Sequence, residues 1–345
     1  MMTNKIPYEF SDYVLRKYFI ETGLHQGWLS DSKKPLALAV SGGGDSISLL
    51  WFFRTFYDGG HLTAIHINHG IRGAESDEDE KFTAMSAEES GIAFRSVRVN
   101  VPSSRLKGES LETSARRLRL QALTGTAHEL GIESVMLGHN RDDLAETVLF
   151  NILRGTGIRG SVGITETTQT QGITFYRPLL GLRREFLRDI LRVRGLAWRE
   201  DSSNNDETYT RNFIRLKLLP FIESGINTSS VEHLAQFGED MRRAREYEDE
   251  LSLNLVSSCL EDSRTLNRRT LRKFSRSDIM LTVREMGRRL GLRTLSHKRC
   301  SELSGLITKD DNFVFQWCGN FTVSGRNQKI YFEGETQKNN ETGNS

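Results

Sequence analysis

The segment Leu36-Ala-Leu-Ala-Val-Ser-Gly-Gly-Gly-Asp-Ser46 constrains this chain more than any other. An apolar run of strand length passes straight into three glycines, and a helical pattern follows from Asp45 to Tyr57. Glycines at a strand-to-helix turn let the backbone come close to a ligand and aim N–H groups at it, while the positive end of the helix dipole faces the same point. Ser41 and Ser46 add hydroxyl donors, so Ser41, Gly42, Gly43, Gly44, Asp45 and Ser46 are expected to cradle a phosphate. A plain strand-to-helix turn would also accept three glycines for steric reasons; the serines and the position after the first strand favour the anion site. The segment is not GxxxxGK[ST], nor is it GxGxxG with an acid about 20 residues further on. A carboxylate at Asp45 would repel a phosphate unless a cation lay between them, so the loop predicts Mg²⁺ with a nucleotide, and Asp45 as the metal ligand.

Around that loop, the chain up to residue 230 alternates short β-rich runs with longer helical patterns, the rhythm of βαβ units on a parallel sheet. Strands are expected at Leu36 to Val40, Leu62 to Ile67, Ala93 to Val99 and Val135 to Leu137. Helices are expected at Asp45 to Tyr57, Asp77 to Ser90, Leu111 to Leu130 and Asp142 to Leu153. Thr165 to Gly172 and Asp201 to Thr210 read as polar surface loops. With 345 residues, the chain has length for about two domains at roughly 150 residues each. The expected division is residues 1–225 as an α/β parallel-sheet domain, 226–335 as a smaller, mainly helical C-terminal domain ending in a short hairpin, and 336–345 as a disordered tail.

No apolar run approaches the roughly 18 residues of a membrane span, and the N-terminus lacks the apolar core of a signal peptide, so a cytoplasmic protein without a membrane partner is expected. Cys259, Cys300 and Cys318 are odd in number and widely spaced, which speaks for reduced thiols rather than disulfides or a zinc ribbon. Charge is unevenly spread: Arg264 to Arg299 holds 12 Lys/Arg against 2 acids, whereas Glu232 to Asp262 holds 9 acids against 3 Arg. A basic block of that density suits either a phosphate-rich partner or a solvated helix face.

A second cluster follows the expected strand Ser134 to Leu137: His139, Asp142, Asp143 and Glu146. They fall at a carboxyl end of the sheet, where open α/β folds hold their ligands, and a helix starting there would carry the acids on one side of its first turn. The alternative is helix capping by Asp142 with dipole-favoured acids beside it. His66 and His69, at another strand end, read more readily as structural. Arg183 to Arg199, with six arginines among Leu, Val and Ile, is an amphipathic helix with solvated charges or an RNA backbone contact.

These motifs resemble known ones. Ser41-Gly-Gly-Gly-Asp-Ser46 is similar to the SGGxDS loop of the N-type ATP pyrophosphatases, which implies a PP-loop, adenine nucleotide alpha hydrolase-like fold and cleavage of ATP to AMP and pyrophosphate. His66-Ile-Asn-His69-Gly-Ile-Arg72-Gly73, Leu111-Glu112-Thr-Ser-Ala115-Arg116-Arg117 and Gly138-His139-Asn140-Arg141-Asp142-Asp143-Leu144-Ala145-Glu146-Thr147 resemble, in order, the signatures of the tRNA(Ile)-lysidine synthetase family. Arg154-Gly-Thr-Gly157-Ile-Arg159-Gly160, Arg177-Pro-Leu-Leu180, Asp201-Ser-Ser-Asn204 and Arg211-Asn-Phe-Ile-Arg215 match its remaining ones. Asn140 departs from the pattern, since many members carry a second histidine there.

The resemblance implies a ligase that forms a C–N bond, joining free L-lysine to the wobble cytidine of the CAU-anticodon isoleucine tRNA through an adenylated cytidine, with ATP and Mg²⁺ as cofactors. By carry-over, Asp45, Asp143 and Glu146 handle metal, cytidine or lysine, and Arg116 and Arg211 contact the nucleotide or intermediate. His139 is a candidate for holding the unstacked base. The division of tasks among Asp142, Asp143 and Glu146 stays open, and so does a homodimer. The basic block, with Arg268, Arg269, Arg272 and Lys273 foremost, is then expected to face the tRNA backbone. Two other readings compete: another PP-loop tRNA-modifying enzyme such as a thiolase, which would need cysteines near the site, and a non-catalytic nucleotide- or RNA-binding protein.

Overall fold

The computed structural model describes residues 8–29, 33–70, 73–101, 103–106, 108–200 and 210–334. Two compact units divide between Met241 and Arg242. In the first, the elements run α1 (Asp12–Gln26), β1 (Leu36–Ala39), α2 (Gly44–Phe56), β2 (Leu62–Asn68), α3 (Ala74–Glu89), β3 (Ala93–Arg98), α4 (Leu111–Glu129), β4 (Ser134–Leu137), α5 (Arg141–Leu153), α6 (Ile158–Ser161), β5 (Thr167–Thr170), β6 (Ile173–Tyr176), α7 (Arg184–Val193), α8 (Thr210–Phe213), one π-helical turn (Ile214–Leu218) and α9 (Leu219–Gly225). The strand order is β3-β2-β1-β4-β6-β5. All pairs are parallel except β5 with β6.

The sheet's topology fixes where a ligand can sit. From β1 the chain moves outward through β2 and β3, then returns to the other side of β1 as β4, so the direction of winding reverses between β1 and β4. In open α/β sheets that reversal leaves a crevice beyond the carboxyl ends of the two strands. β1 is apolar and fully sandwiched: Leu36, Ala37 and Leu38 are buried. One face packs on α1 and α2 through Phe19, Trp28, Phe52, Phe53 and Phe56, with the Phe19 and Phe53 rings 5.0 Å apart edge to face. The other face closes over Ile65, Leu123, Val135 and Phe175.

Thr165 to Gly172, expected as a loop, contains β5, whose Thr167-Thr-Gln-Thr170 run pairs antiparallel with β6. Its residues are polar because it is an edge strand with exposed side chains, and the β-branched threonines still favour extended backbone. The unit boundary falls inside α10 (Ser230–Cys259). The first turns of α10 belong to the first unit because Val231, Leu234 and Ala235 pack against Leu144, Ala145 and Val148 of α5 and its neighbours.

The second unit holds the rest of α10 with β7 (Leu260–Asp262), β8 (Thr265–Asn267), α11 (Arg268–Leu271), α12 (Arg276–Arg289), α13 (His297–Thr308), β9 (Phe313–Cys318), β10 (Phe321–Arg326) and β11 (Lys329–Glu333). Beside the expected helices it holds more strand than a short terminal hairpin: five antiparallel strands, ordered β7-β8-β11-β10-β9, share one core with α12 and α13. Two of these strands are only three residues long, too short for a legible alternation. Cys259 and Cys300 are buried as free thiols and Cys318 is partly covered.

Arg268 also corrects an expectation. Placed by sequence in an RNA-facing cluster, it is 2% exposed, its guanidinium donating to the carbonyls of Leu306, Ile307, Lys309 and Asp311 at the end of α13 and lying 5.2 Å from the Phe313 ring centre. Arg272 bonds the same helix end at Ile307 and pairs with Asp310. Both cations satisfy the last carbonyls of α13 and complement its dipole. Arg268→Met should therefore lower the local stability of α13, read by amide hydrogen exchange, by about 3 kcal/mol, whereas Arg269→Met at the exposed neighbour should change it by less than about 0.5 kcal/mol.

Candidate active site

The glycine loop sits at the mouth of the crevice. Gly42 takes φ +91°, open to glycine but strained for other residues, and a Cβ there would meet Thr83 Oγ1 at 3.2 Å. Gly43 is extended and precedes α2, so the first N–H groups of α2 face the loop. Ser46 is only 7% exposed. Its hydroxyl accepts from the Ser41 N–H at 3.1 Å and donates to the Gly43 carbonyl at 2.9 Å, so it holds the loop's shape, while Ser41 is exposed. From β4, Gly138 lets the two strand ends approach: a Cβ there would lie 3.1 Å from the Asp45 carbonyl oxygen.

Beyond Gly138, Asn140 starts α5. Its side chain accepts from the Asp143 N–H at 3.0 Å, and the Asp143 carboxylate accepts from the Asn140 N–H at 3.0 Å, a reciprocal cap. The residue that departs from the family pattern thus has a defined local task. Asp142 is turned toward α7, where it accepts from the Arg184 N–H at 2.7 Å and pairs with Arg183 at 3.2 Å. It caps the start of α7 and is committed to structure. Asp143 and Glu146 remain facing the crevice, and Glu146 is fully buried.

Two arginines neutralise them. Arg184 reaches Asp143 at 3.0 Å and Glu146 at 2.9 Å, and Arg215 reaches Asp143 at 3.0 Å and both oxygens of Glu146 at 2.8 and 3.0 Å. Burial alone would raise Asp143, but Arg184, with Arg215 and Arg211, draws it down to about 2. Asp45 goes the other way. Burial, and then the neighbouring Asp143 charge, push it up to about 6 against the partial relief of Arg184, 3.8 Å away. Among the described residues its buried Oδ1 has no hydrogen-bond partner.

The remaining sequence candidates fall around this cluster. Arg211 hydrogen-bonds Thr147 at 3.2 Å and stands 3.6 Å from Glu146. Arg116 lies exposed on α4. Burial, followed by the charges of Arg116 and Arg119, pushes Arg177 down to about 10. His139 is half-buried and its Nδ1 lacks a partner; burial pushes it down to about 3, although Asp143 opposes this, and it is neutral at pH 7. His66 is buried and bonded at 2.9 Å to the Val40 carbonyl, a structural tie between β2 and β1. Asn68, also buried, binds Asp77 at 3.1 Å and Glu80 at 2.7 Å at the start of α3. Arg72 and Asp201 to Asn204 lie outside the described residues, and of Glu112 only the backbone is described. Arg184 was read only as part of an amphipathic arginine stretch; the signal that could have singled it out is three carboxylates converging on one crevice with too few cations.

The residues suit Mg²⁺. Asp45 has an oxygen without a hydrogen-bond partner among the described residues, and burial, followed by the neighbouring Asp143 charge, raises its proton affinity, which a divalent cation would relieve. No group of three or more His, Cys, Asp or Glu is arranged as a metal cage among the described residues. That pattern fits a cation held by one or two carboxylates and completed by phosphate oxygens.

Comparison with known proteins bears on the family and the fold. Residues 17–222 match the PP-loop domain family. Over 208 residues, 60% of this chain and 39% of the relative, the sequence is 41% identical to a tRNA(Ile)-lysidine synthase of Thermus thermophilus. Over 225 residues, 64% of this chain and 48% of the relative, it is 37% identical to a tRNA(Ile)-lysidine synthase of Pseudomonas syringae pv. tomato. In these matches the aligned part spans less than half the length of the relatives. The U34-tRNA thiolase NcsA of Methanococcus maripaludis, solved with its [4Fe-4S] cluster, shares the fold at a TM-score of 0.55 and 18% identity, covering 66% of this chain and 78% of that one.

The lowered His139 value carries a stability consequence. Its unfolded value is near 6.5 and its folded value near 3, so the unfolded chain binds the proton first as pH falls. The contribution is fully present above about pH 6.5 and is lost progressively toward pH 3. In urea unfolding between about pH 7 and 4, His139→Gln should show a shallower loss of stability than the parent; identical slopes would reject the assignment.

Proposed function

The chain belongs to the PP-loop domain family, and on that premise we propose that it joins free L-lysine to the wobble cytidine of the CAU-anticodon isoleucine tRNA, consuming ATP and releasing AMP and pyrophosphate. The observation that carries this reading is the junction of a glycine phosphate loop with an arginine-neutralised carboxylate pair, Asp143 and Glu146, at the switch point of the sheet. The similarity to the lysidine synthases supports the choice of substrate. A thiolase reading lacks its reagent, because all three cysteines lie in the second unit and two of them are buried.

The chemistry follows from the groups. The carbonyl oxygen of cytidine is a poor leaving group; its attack on the α-phosphorus of ATP expels pyrophosphate and converts it into a phosphate ester. The lysine ε-amine then attacks the same ring carbon, the C–O bond breaks, and AMP leaves. Glycine-loop N–H groups hold the β,γ-phosphates, and Asp45 would hold Mg²⁺, which when bound neutralises charge on the departing pyrophosphate. Lysine arrives as an ammonium, with a reference pKa of about 10.4, and must lose a proton before it attacks. Asp143 and Glu146 supply the negative charge that docks the ammonium, and the pair takes up its proton as the amine attacks. Arg116 and Arg211 face the phosphate of the adenylated base, and neutral His139 meets its polar edge.

Incubation with ATP, Mg²⁺, lysine and a CAU-anticodon transcript should yield lysidine by nucleoside mass spectrometry, with AMP formed in equal amount. Glu146→Gln should lower turnover by about 10²- to 10⁴-fold, as for loss of a general base. AMP formation without lysidine would overturn the reading.

In the second unit, Arg269, Lys273, Arg293 and Lys298 are exposed cations without an acidic partner among the described residues, and we assign the tRNA backbone contact to them. Replacing all four by Glu should weaken tRNA binding and reduce its dependence on salt concentration, with a log–log slope shallower by up to about 3 to 4. An unchanged slope would reject this surface.

A further inference from the structure

The segment after α7 crosses over the phosphate loop. Arg199 donates its backbone N–H to the Gly42 carbonyl at 3.0 Å and forms a parallel bridge with Gly43. Its guanidinium is engaged with a neighbouring helix. It is bound to α3, at 2.5 Å from Asp79 and 3.1 Å from Glu78. The same helix supports Gly42 from beneath, since Phe82 and Thr83 lie within 3.4 Å of where a Cβ on Gly42 would stand. Beside it, the Trp198 indole is partly buried against the core and comes within 3.4 Å of the corresponding position on Gly44. Each of the three glycines is thus gripped by a neighbour: Gly42 by α3 and Arg199, Gly43 by Arg199, and Gly44 by Trp198.

Three consecutive glycines sample far more backbone states than other residues, and ordering them on binding costs free energy that would be taken from ligand affinity. A strap that imposes the bound shape in advance removes that cost. We propose that Trp198 and Arg199 are positioning residues that hold the glycine loop ready for the triphosphate, acting through the loop's backbone and without touching the nucleotide. Arg199 is the anchor, because its two ion pairs fasten the strap to α3. The other end of the segment is fixed by Arg184, the first residue of α7, which binds Asp143 and Glu146. Residues 184–199 therefore tie the glycine loop to the carboxylate pair.

This inference rests on the ATP reading above, and its test separates the two. Binding of a slowly hydrolysed ATP analogue with Mg²⁺ is measured calorimetrically on the full chain, alongside steady-state turnover with lysine and tRNA. Arg199→Ala and Trp198→Ala should each weaken nucleotide binding about tenfold, which corresponds to about 1.4 kcal/mol, and raise the KM for ATP by a similar factor. The kcat at saturating ATP and the KM for lysine should stay at parental values. Arg199→Lys, which keeps a cation for Asp79, and Trp198→Phe, which keeps a ring over Gly44, should recover most of the affinity. Arg192→Ala, at an exposed residue of α7 that pairs with Glu185 and Asp189 of its own helix, serves as the control and should bind as the parent does. Parental affinity in both alanine variants, or a fall in kcat with the KM for ATP unmoved, would overturn the strap. A parent chain that binds no nucleotide would instead overturn the ATP reading.

Discussion

The pairing of Arg184 and Arg215 with Asp143 and Glu146 is the interaction on which the rest of this site depends. Two carboxylates in so enclosed a place would be too costly to keep ionised without compensation. Two guanidiniums supply the compensation and join three separate pieces of chain, the starts of α5 and α7 and the π-helical turn. A buried ion pair of this kind contributes little net stability, because desolvation offsets much of the attraction, but losing one partner strands the other at a cost of about 3–5 kcal/mol. The cluster is best understood as a device that keeps negative charge available in a crevice that would otherwise neutralise it.

Asp45 shows what happens where such compensation is incomplete. It lies near the same cluster, yet Arg184 stands 3.8 Å away and the carboxyl is pushed up to about 6. The molecule has therefore satisfied two of its three crevice carboxylates with its own cations and left the third short of positive charge. Placement of that third group at the first turn of α2, next to a loop built for anions, couples the two shortages: the loop favours negative charge and Asp45 favours a cation. The ATP and Mg²⁺ of the proposed reaction would answer both.

Much of this was legible in the sequence because it is encoded locally. The glycine loop, the strand before it and the helix after it are adjacent in the chain, and the acids of α5 follow β4 within a few residues. What could not be read was long-range partnership. Arg215 meets Glu146 across 69 residues and Arg184 meets it across 38, and nothing in their neighbourhoods separates them from the other arginines nearby. Exposure was equally hidden: Arg268 and Arg269 are adjacent in the chain, yet one is enclosed by carbonyls and the other faces water. Short or polar strands such as β5, β7 and β8 failed to register because their residues lack the alternation that marks a half-buried sheet.

The wide turn at Ile214–Leu218 gives this arrangement a directional character. An ordinary α-helix rotates each successive side chain by about 100°, so its facing pattern is set by the 3.6 repeat alone. One turn of wider winding inserts a phase shift between the residues at its start and those beyond it; at its start Ile214 packs with Ala145 while Arg215 reaches the acids, and beyond it Leu219 is buried. The extra residue works as a vernier: the helix beyond can keep its own packing phase without swinging the guanidinium out of reach.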